Sequence, residues 1–203
     1  PGGRAPLAAE AEIVTRKETT LEYTVAEFDR QVTVAATEHT ISLLGLFPGQ
    51  ENEIVVKITD PEGYFAYDTL RVTTDPLPDW MPEVEIVKSV TNLMEPGLTL
   101  CELSVGGDNR LRTRPFMFDA QGRVRWYVLL DDFGNWVAPF EPLSNGNFVC
   151  GHGEDVYELD RLGRVVNQWN MDGYLQHHEV TEKPDGNLLV AVTKTGLDTN
   201  LDF

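Results

Sequence analysis

Cysteine is scarce: the 203 residues hold two, Cys101 and Cys150. Two cysteines define neither a disulfide framework nor a redox compartment. Each sits in an apolar, strand-like run, Leu98-Thr99-Leu100-Cys101 and Phe148-Val149-Cys150, so both are expected as buried thiols. A bond between them would need Cα atoms within about 7 Å. Basic residues are also few, 16 against 33 acidic ones, for a net charge of −17. Such a chain offers no basic face to nucleic acid or to an anionic membrane surface. No apolar run approaches the roughly 18 residues of a spanning helix. The opening Pro1-Gly2-Gly3-Arg4 does not read as a charged n-region leading into an apolar core. A mature secreted form, a cytosolic protein and a trimmed chain all stay open. No P-loop, dinucleotide fingerprint or Gly-x-Ser-x-Gly elbow is present, and no cofactor is expected.

What is present is β. The runs Val32-Thr33-Val34, Ile41-Ser42-Leu43-Leu44, Ile54-Val55-Val56-Lys57-Ile58 and Leu70-Arg71-Val72-Thr73 are short and rich in β-branched residues. Turn signals at Pro48-Gly49-Gln50 and Asp60-Pro61-Glu62-Gly63 separate them. This spacing predicts an immunoglobulin- or fibronectin-like β-sandwich over 1–78. His39, alone between Glu38 and Thr40, is expected at the surface. Asp75-Pro76-Leu77-Pro78-Asp79-Trp80-Met81-Pro82 holds three prolines and reads as a stiff linker, with Trp80 packed on one neighbour.

Beyond the linker the chain repeats. Asp119-Ala120-Gln121-Gly122-Arg123-Val124-Arg125-Trp126 returns, 41 positions on, as Asp160-Arg161-Leu162-Gly163-Arg164-Val165, running to Trp169. Asn145-Gly146-Asn147-Phe148-Val149 returns, 40 positions on, as Asp185-Gly186-Asn187-Leu188-Leu189. A period near 40 with two hairpin turns predicts four strands per unit, the mark of a β-propeller blade. Residues 79–203 would then hold two blades and the start of a third. Propellers close with four to eight, so the expectation is the front of a longer protein. The ending Gly196 to Phe203 reads as a loop leading to an unfinished strand.

The candidate site residues are those the repeat does not demand. His177 and His178 open a strand that turns at Pro184-Asp185-Gly186-Asn187, expected as a two-residue hairpin. Forty positions earlier stand Val137 and Ala138, so the scaffold does without the histidines. Alternation should send the two side chains to opposite faces, leaving at most one aimed into a site. Read from spacing alone, a partly exposed pair at a strand entry stays open beside a functional role. His152 lies in the glycine loop Gly151-His152-Gly153, and no ligand spacing makes a zinc site of it with the pair. Arg112 and Arg114 flank Thr113 and are left either to hold an anion or to stand in solvent.

The chain resembles the front of a bacterial aryl sulfotransferase of the kind that uses no nucleotide sulfate donor. Gly3-Arg4-Ala5-Pro6-Leu7 is similar to the start of that family's N-terminal sandwich. The Asp119 to Trp126 unit is similar to its Asp-x-x-Gly-x-x-x-Trp blade units. His177-His178-Glu179 with the Pro184 to Asn187 turn resembles its His-His-Asp segment, with Glu179 in place of the aspartate. The resemblance implies transfer of a sulfuryl group from a phenolic sulfate ester to another phenol through a histidine in the propeller channel. It places that nucleophile in a later blade, beyond Phe203, so the chain alone is expected to be inactive. His177 and His178 are left a sulfate-binding or acid–base role. It also implies a periplasmic or secreted protein, with a donor and an acceptor phenol as partners and a homodimer left open. The rival readings are a non-catalytic sandwich-plus-propeller binding module and a degenerate homologue.

Overall fold

A computed structural model describes residues 3–26, 28, 30–90, 93–107, 110–134 and 136–195, without the side chains of 105–107, 110 and 111. The predicted loop at Gly196 to Phe203 lies outside them. The described chain is all-β, with no α-helix among the described residues. It divides into two compact units, Pro1–Cys101 with Phe116–Val128, and Glu102–Pro115 with Leu129–Phe203.

The first unit is built on β1 (Ala8–Tyr23), the longest strand. Its first half pairs antiparallel with β3 (Ala36–Leu44), from Ala8↔Leu44 to Val14↔Glu38. Its second half pairs with β4 (Glu51–Thr59), from Thr20↔Thr59 to Tyr23↔Val56. The pairing breaks between Val14 and Thr19, where the Thr15 hydroxyl donates to the Lys17 carbonyl at 2.6 Å. The two-residue β2 (Gln31–Val32) caps the end of β1, and β5 (Phe65–Thr73) closes a hairpin on β4. Along β3 and β4 every second residue turns inward, and Leu21, Ile41, Leu43, Ile54 and Val56 make the core. His39 falls on that inward phase with Ile41 and Leu43. It is 6% exposed, with Nε2 3.2 Å from the Thr19 hydroxyl, and is a buried, paired histidine rather than a surface one.

The strands β6 (Thr99–Gly107), β7 (Arg110–Phe118) and β8 (Val124–Tyr127) form a three-stranded sheet in that order. Residues 116–128 belong to the repeat yet pack with the first unit, and Arg125 shows why. Its guanidinium is 1% exposed. It donates to the Gly45 carbonyl through Nε at 3.2 Å and Nη2 at 2.5 Å, and to Asp119 through Nη1 at 3.1 Å. The rings of Phe28 and Phe47 lie 4.6 and 4.1 Å from it. Trp80 packs edge-on against Tyr127 at 5.9 Å, so the linker tryptophan also joins this unit.

In the second unit β9 (Phe140–Pro142), β10 (Phe148–His152), β11 (Asp155–Leu159) and β12 (Val165–Asn170) form a four-stranded antiparallel meander. A hairpin of β13 (Tyr174–Glu182) and β14 (Leu188–Lys194) follows. The hairpin and the meander share Val149, Val156 and Val180, with Leu188 and Val190 packed against them. Each such buried side chain contributes about 1.5–3 kcal/mol relative to exposure. Glu182 adds a polar link, accepting from Ser144 N at 2.7 Å and from its hydroxyl at 2.8 Å.

Register confirms the repeat. The pairs Phe148↔Pro142 and Leu188↔Glu182 stand 40 positions apart in both strands. The pairs Phe118↔Val124 and Leu159↔Val165 stand 41 apart, and each adjoins the same register shift. The same pairing corrects one equivalence. Trp126 lies opposite Met117 and its counterpart is Asn167, opposite Glu158; Trp169 comes two residues later, opposite Val156.

The hairpin turn also differs from expectation. Gly186 N donates to Lys183 O at 2.9 Å, and Lys183 N to Asn187 O at 2.8 Å. Gly186, at φ +79°, is the one positive φ in the turn. A proline at the second position fixes φ near −65°, which excludes the two-residue primed turn. The result is a three-residue turn with a glycine bulge.

Candidate functional site

His177 and His178 lie in the middle of β13, and the strand is not regular there. Gln176 pairs with Val192 and Val180 pairs with Val190, so three residues of β13 face one of β14. The insertion is a bulge, which re-aims side chains and breaks alternation. His178 takes up the irregularity with φ at +70°, a left-handed conformation that costs a non-glycine residue about 1–3 kcal/mol. The expected division of the two rings onto opposite faces therefore does not occur. Their centroids are 4.2 Å apart, edge to face at 80°.

Around the pair the second unit gathers further groups. The Trp136 ring stands 6.0 Å from the His178 ring. The Trp136 carbonyl lies 2.7 Å from His152 Nδ1, and a carbonyl only accepts, so Nδ1 carries the hydrogen. The sequence spacing did not join His152 to the pair; Trp136 does, through its carbonyl and its ring. Gly134 makes the approach possible, since a Cβ there would meet the His152 ring at 2.5 Å. The Gln176 side chain lies over Gly151, where a Cβ would meet its Cδ at 2.7 Å. Its Nε2 is buried with no hydrogen-bond partner. Glu179 accepts from the Thr181 hydroxyl at 3.1 Å and stays exposed.

Opposite His152 in the β10–β11 register stands Asp155. Its carboxyl is held below the ordinary value, first by the Asn170 amide against the upward push of burial, then by Gln168, Tyr157 and the nearby His152. Glu158, in the neighbouring bulge, is pushed up by burial. The amides of Asn147, Asn167 and Asn145 outweigh that, and the net shift is downward. These carboxylates are satisfied by amides at 2.6–3.2 Å and have a scaffolding character.

Arg112 and Arg114 are both paired, Arg112 at the exposed surface and Arg114 buried. Both donate to Asp131 Oδ1, at 2.7 and 2.6 Å, and the Arg114 side chain is 7% exposed. Thr113, on the other face of β7, accepts from Val137 N at 3.3 Å. Sequence reasoning missed Asp131 and Trp136, because nothing in the spacing of a loop reveals its anchors. Cys101 and Cys150 form no disulfide; the second is fully buried and the first half-buried. Among the described residues no three His, Cys, Asp or Glu side chains gather as a metal site would need. A shallow groove of about 300 Å³ between β12 and the β13–β14 hairpin is lined by Trp169, Met171, Leu188 and Val190; no histidine lines it.

A family model described as Arylsulfotransferase (ASST) matches residues 83–203, well over half of the chain, and this span includes every residue of the histidine cluster. No curated protein matches the chain.

Proposed function

Because the chain belongs to the arylsulfotransferase family, we propose that its gene product moves a sulfuryl group from a phenolic sulfate ester to another phenol. The observation that carries this reading is the family match over the segment holding His177 and His178. In the proposed cycle a histidine nitrogen attacks sulfur, the S–O bond to the donor breaks with its electron pair going to oxygen, and the departing phenolate takes a proton from a nearby acid to leave as the phenol. The acceptor oxygen then attacks the same sulfur, the S–N bond breaks, and the acceptor's proton passes to a nearby base. We assign the attacking histidine to a later blade. His177 and His178 then hold sulfate oxygens or carry the phenolic proton, tasks suited to imidazole, whose two nitrogens can donate and accept hydrogen bonds. Their contact and their place in a strained bulge favour this, since strain at a strand interior is kept where function needs it.

In the same reading residues 1–78 form a β-sandwich domain, and residues 79–203 form the first blades of a propeller whose channel carries the pair. The meander of β9–β12 and the hairpin packed on it support the blade assignment. We place the protein in the periplasm or outside the cell.

The test is transfer from 4-nitrophenyl sulfate to phenol by the complete gene product, followed by release of 4-nitrophenol. Parallel double-reciprocal lines as phenol is varied are expected for a covalent intermediate. Binding of the sulfate ester with no phenol-dependent release would replace the enzyme with the binding module.

A further inference from the structure

Trp136 is 54% exposed, which leaves a large apolar ring in water. The repeat does not ask for it, since Gln176 stands 40 positions on. Yet its loop is held at both ends. At the start, Asp131 takes the two arginine donors described above. At the end, the Trp136 carbonyl takes His152 Nδ1 and Val137 N donates to Thr113. A half-exposed indole on a backbone so held, with the His178 ring 6.0 Å away and His177 against His178, is a flat apolar surface beside the imidazole pair.

An aryl sulfate has the matching parts, a flat ring joined through oxygen to an anionic head. The geometry points to Trp136 as the residue that determines specificity for the aryl group, its indole taking the substrate ring while the sulfuryl end reaches His177 and His178. This rests on the sulfotransferase reading and adds to it the residue that selects an aromatic over an aliphatic ester. Offset stacking on an aromatic face favours a planar ring over a puckered one of the same size.

The experiment compares phenyl sulfate with cyclohexyl sulfate on the complete gene product, by calorimetric titration and by the indole N–H resonances. In the wild type, phenyl sulfate should bind more tightly and shift one indole resonance, the one missing from Trp136→Phe. In Trp136→Ala the ratio of the two dissociation constants should fall about 10-fold, and Trp136→Phe should restore most of it. The Phe variant keeps an aromatic ring, so a folding defect in the alanine variant does not decide the result. An unchanged ratio in Trp136→Ala, with sulfuryl transfer intact in the wild type, overturns the role of Trp136 and leaves the enzyme reading standing. A wild type that neither binds phenyl sulfate nor transfers its sulfuryl group overturns both.

Discussion

His178 carries two features at once: a ring against His177 and a left-handed backbone. The two can be separated by substitution. Glycine removes the ring and the backbone strain; alanine removes the ring alone. His178→Gly should therefore be more stable than His178→Ala by about 1 kcal/mol in urea unfolding, the reverse of their order in a regular strand. An alanine variant as stable as the glycine one would mean that φ is unstrained there. The presence of the histidines was legible in the sequence, because a 40-residue repeat puts Val137 and Ala138 in their place. Their orientation was not, because alternation holds only in a regular strand. His39 shows the opposite case. Its inward phase with Ile41 and Leu43 was readable, and its two polar flanks obscured it.

At the scale of the element one turn recurs. Asp119 Oδ1 accepts from Gln121 N and Arg123 N, both at 3.0 Å. Asp160 Oδ1 accepts from Leu162 N and Arg164 N, both at 2.9 Å. Asp60, in the first unit, does the same for Glu62 and Tyr64 at 3.1 and 2.9 Å. The Asp-x-x-Gly turn is thus a general hairpin device, and only its spacing of 41 speaks of a repeat. Burial separates the copies. Asp119 also partners the buried Arg125, and its carboxyl stays below the ordinary range because donors from Arg123, Arg125 and Gln121 outweigh burial, the largest single influence. Asp119→Ala should cost about 3–5 kcal/mol by leaving Arg125 without its carboxylate. Asp160→Ala and Asp60→Ala should cost about 1–3 kcal/mol each. Equal losses in urea unfolding would show that Arg125 does not depend on Asp119. The strand that escaped sequence reading is β1. Its inward residues include alanines, and Glu10, Glu12, Arg16, Lys17 and Glu18 dilute any apolar run.

Across the whole molecule, the all-β class, the proline-rich stretch and the period near 40 could be read from composition and spacing. The grouping of residues 116–128 with the first unit could not, since it depends on a buried arginine reaching Gly45 from 80 positions away. The loop from Asp131 to Trp136 was equally silent. Its anchors lie on β7 and β10, and no local pattern connects them. What ties the account together is the claim that His177 and His178 act in sulfuryl transfer. The most direct measurement is the turnover of 4-nitrophenyl sulfate with phenol by the complete gene product carrying His177→Ala, His178→Ala or both. Each single change should lower turnover by a factor of about 100 or more. The double change should cost less than the product of the two, because the rings are in contact. Two single variants with near wild-type rates would contradict the account and return the pair to the scaffold.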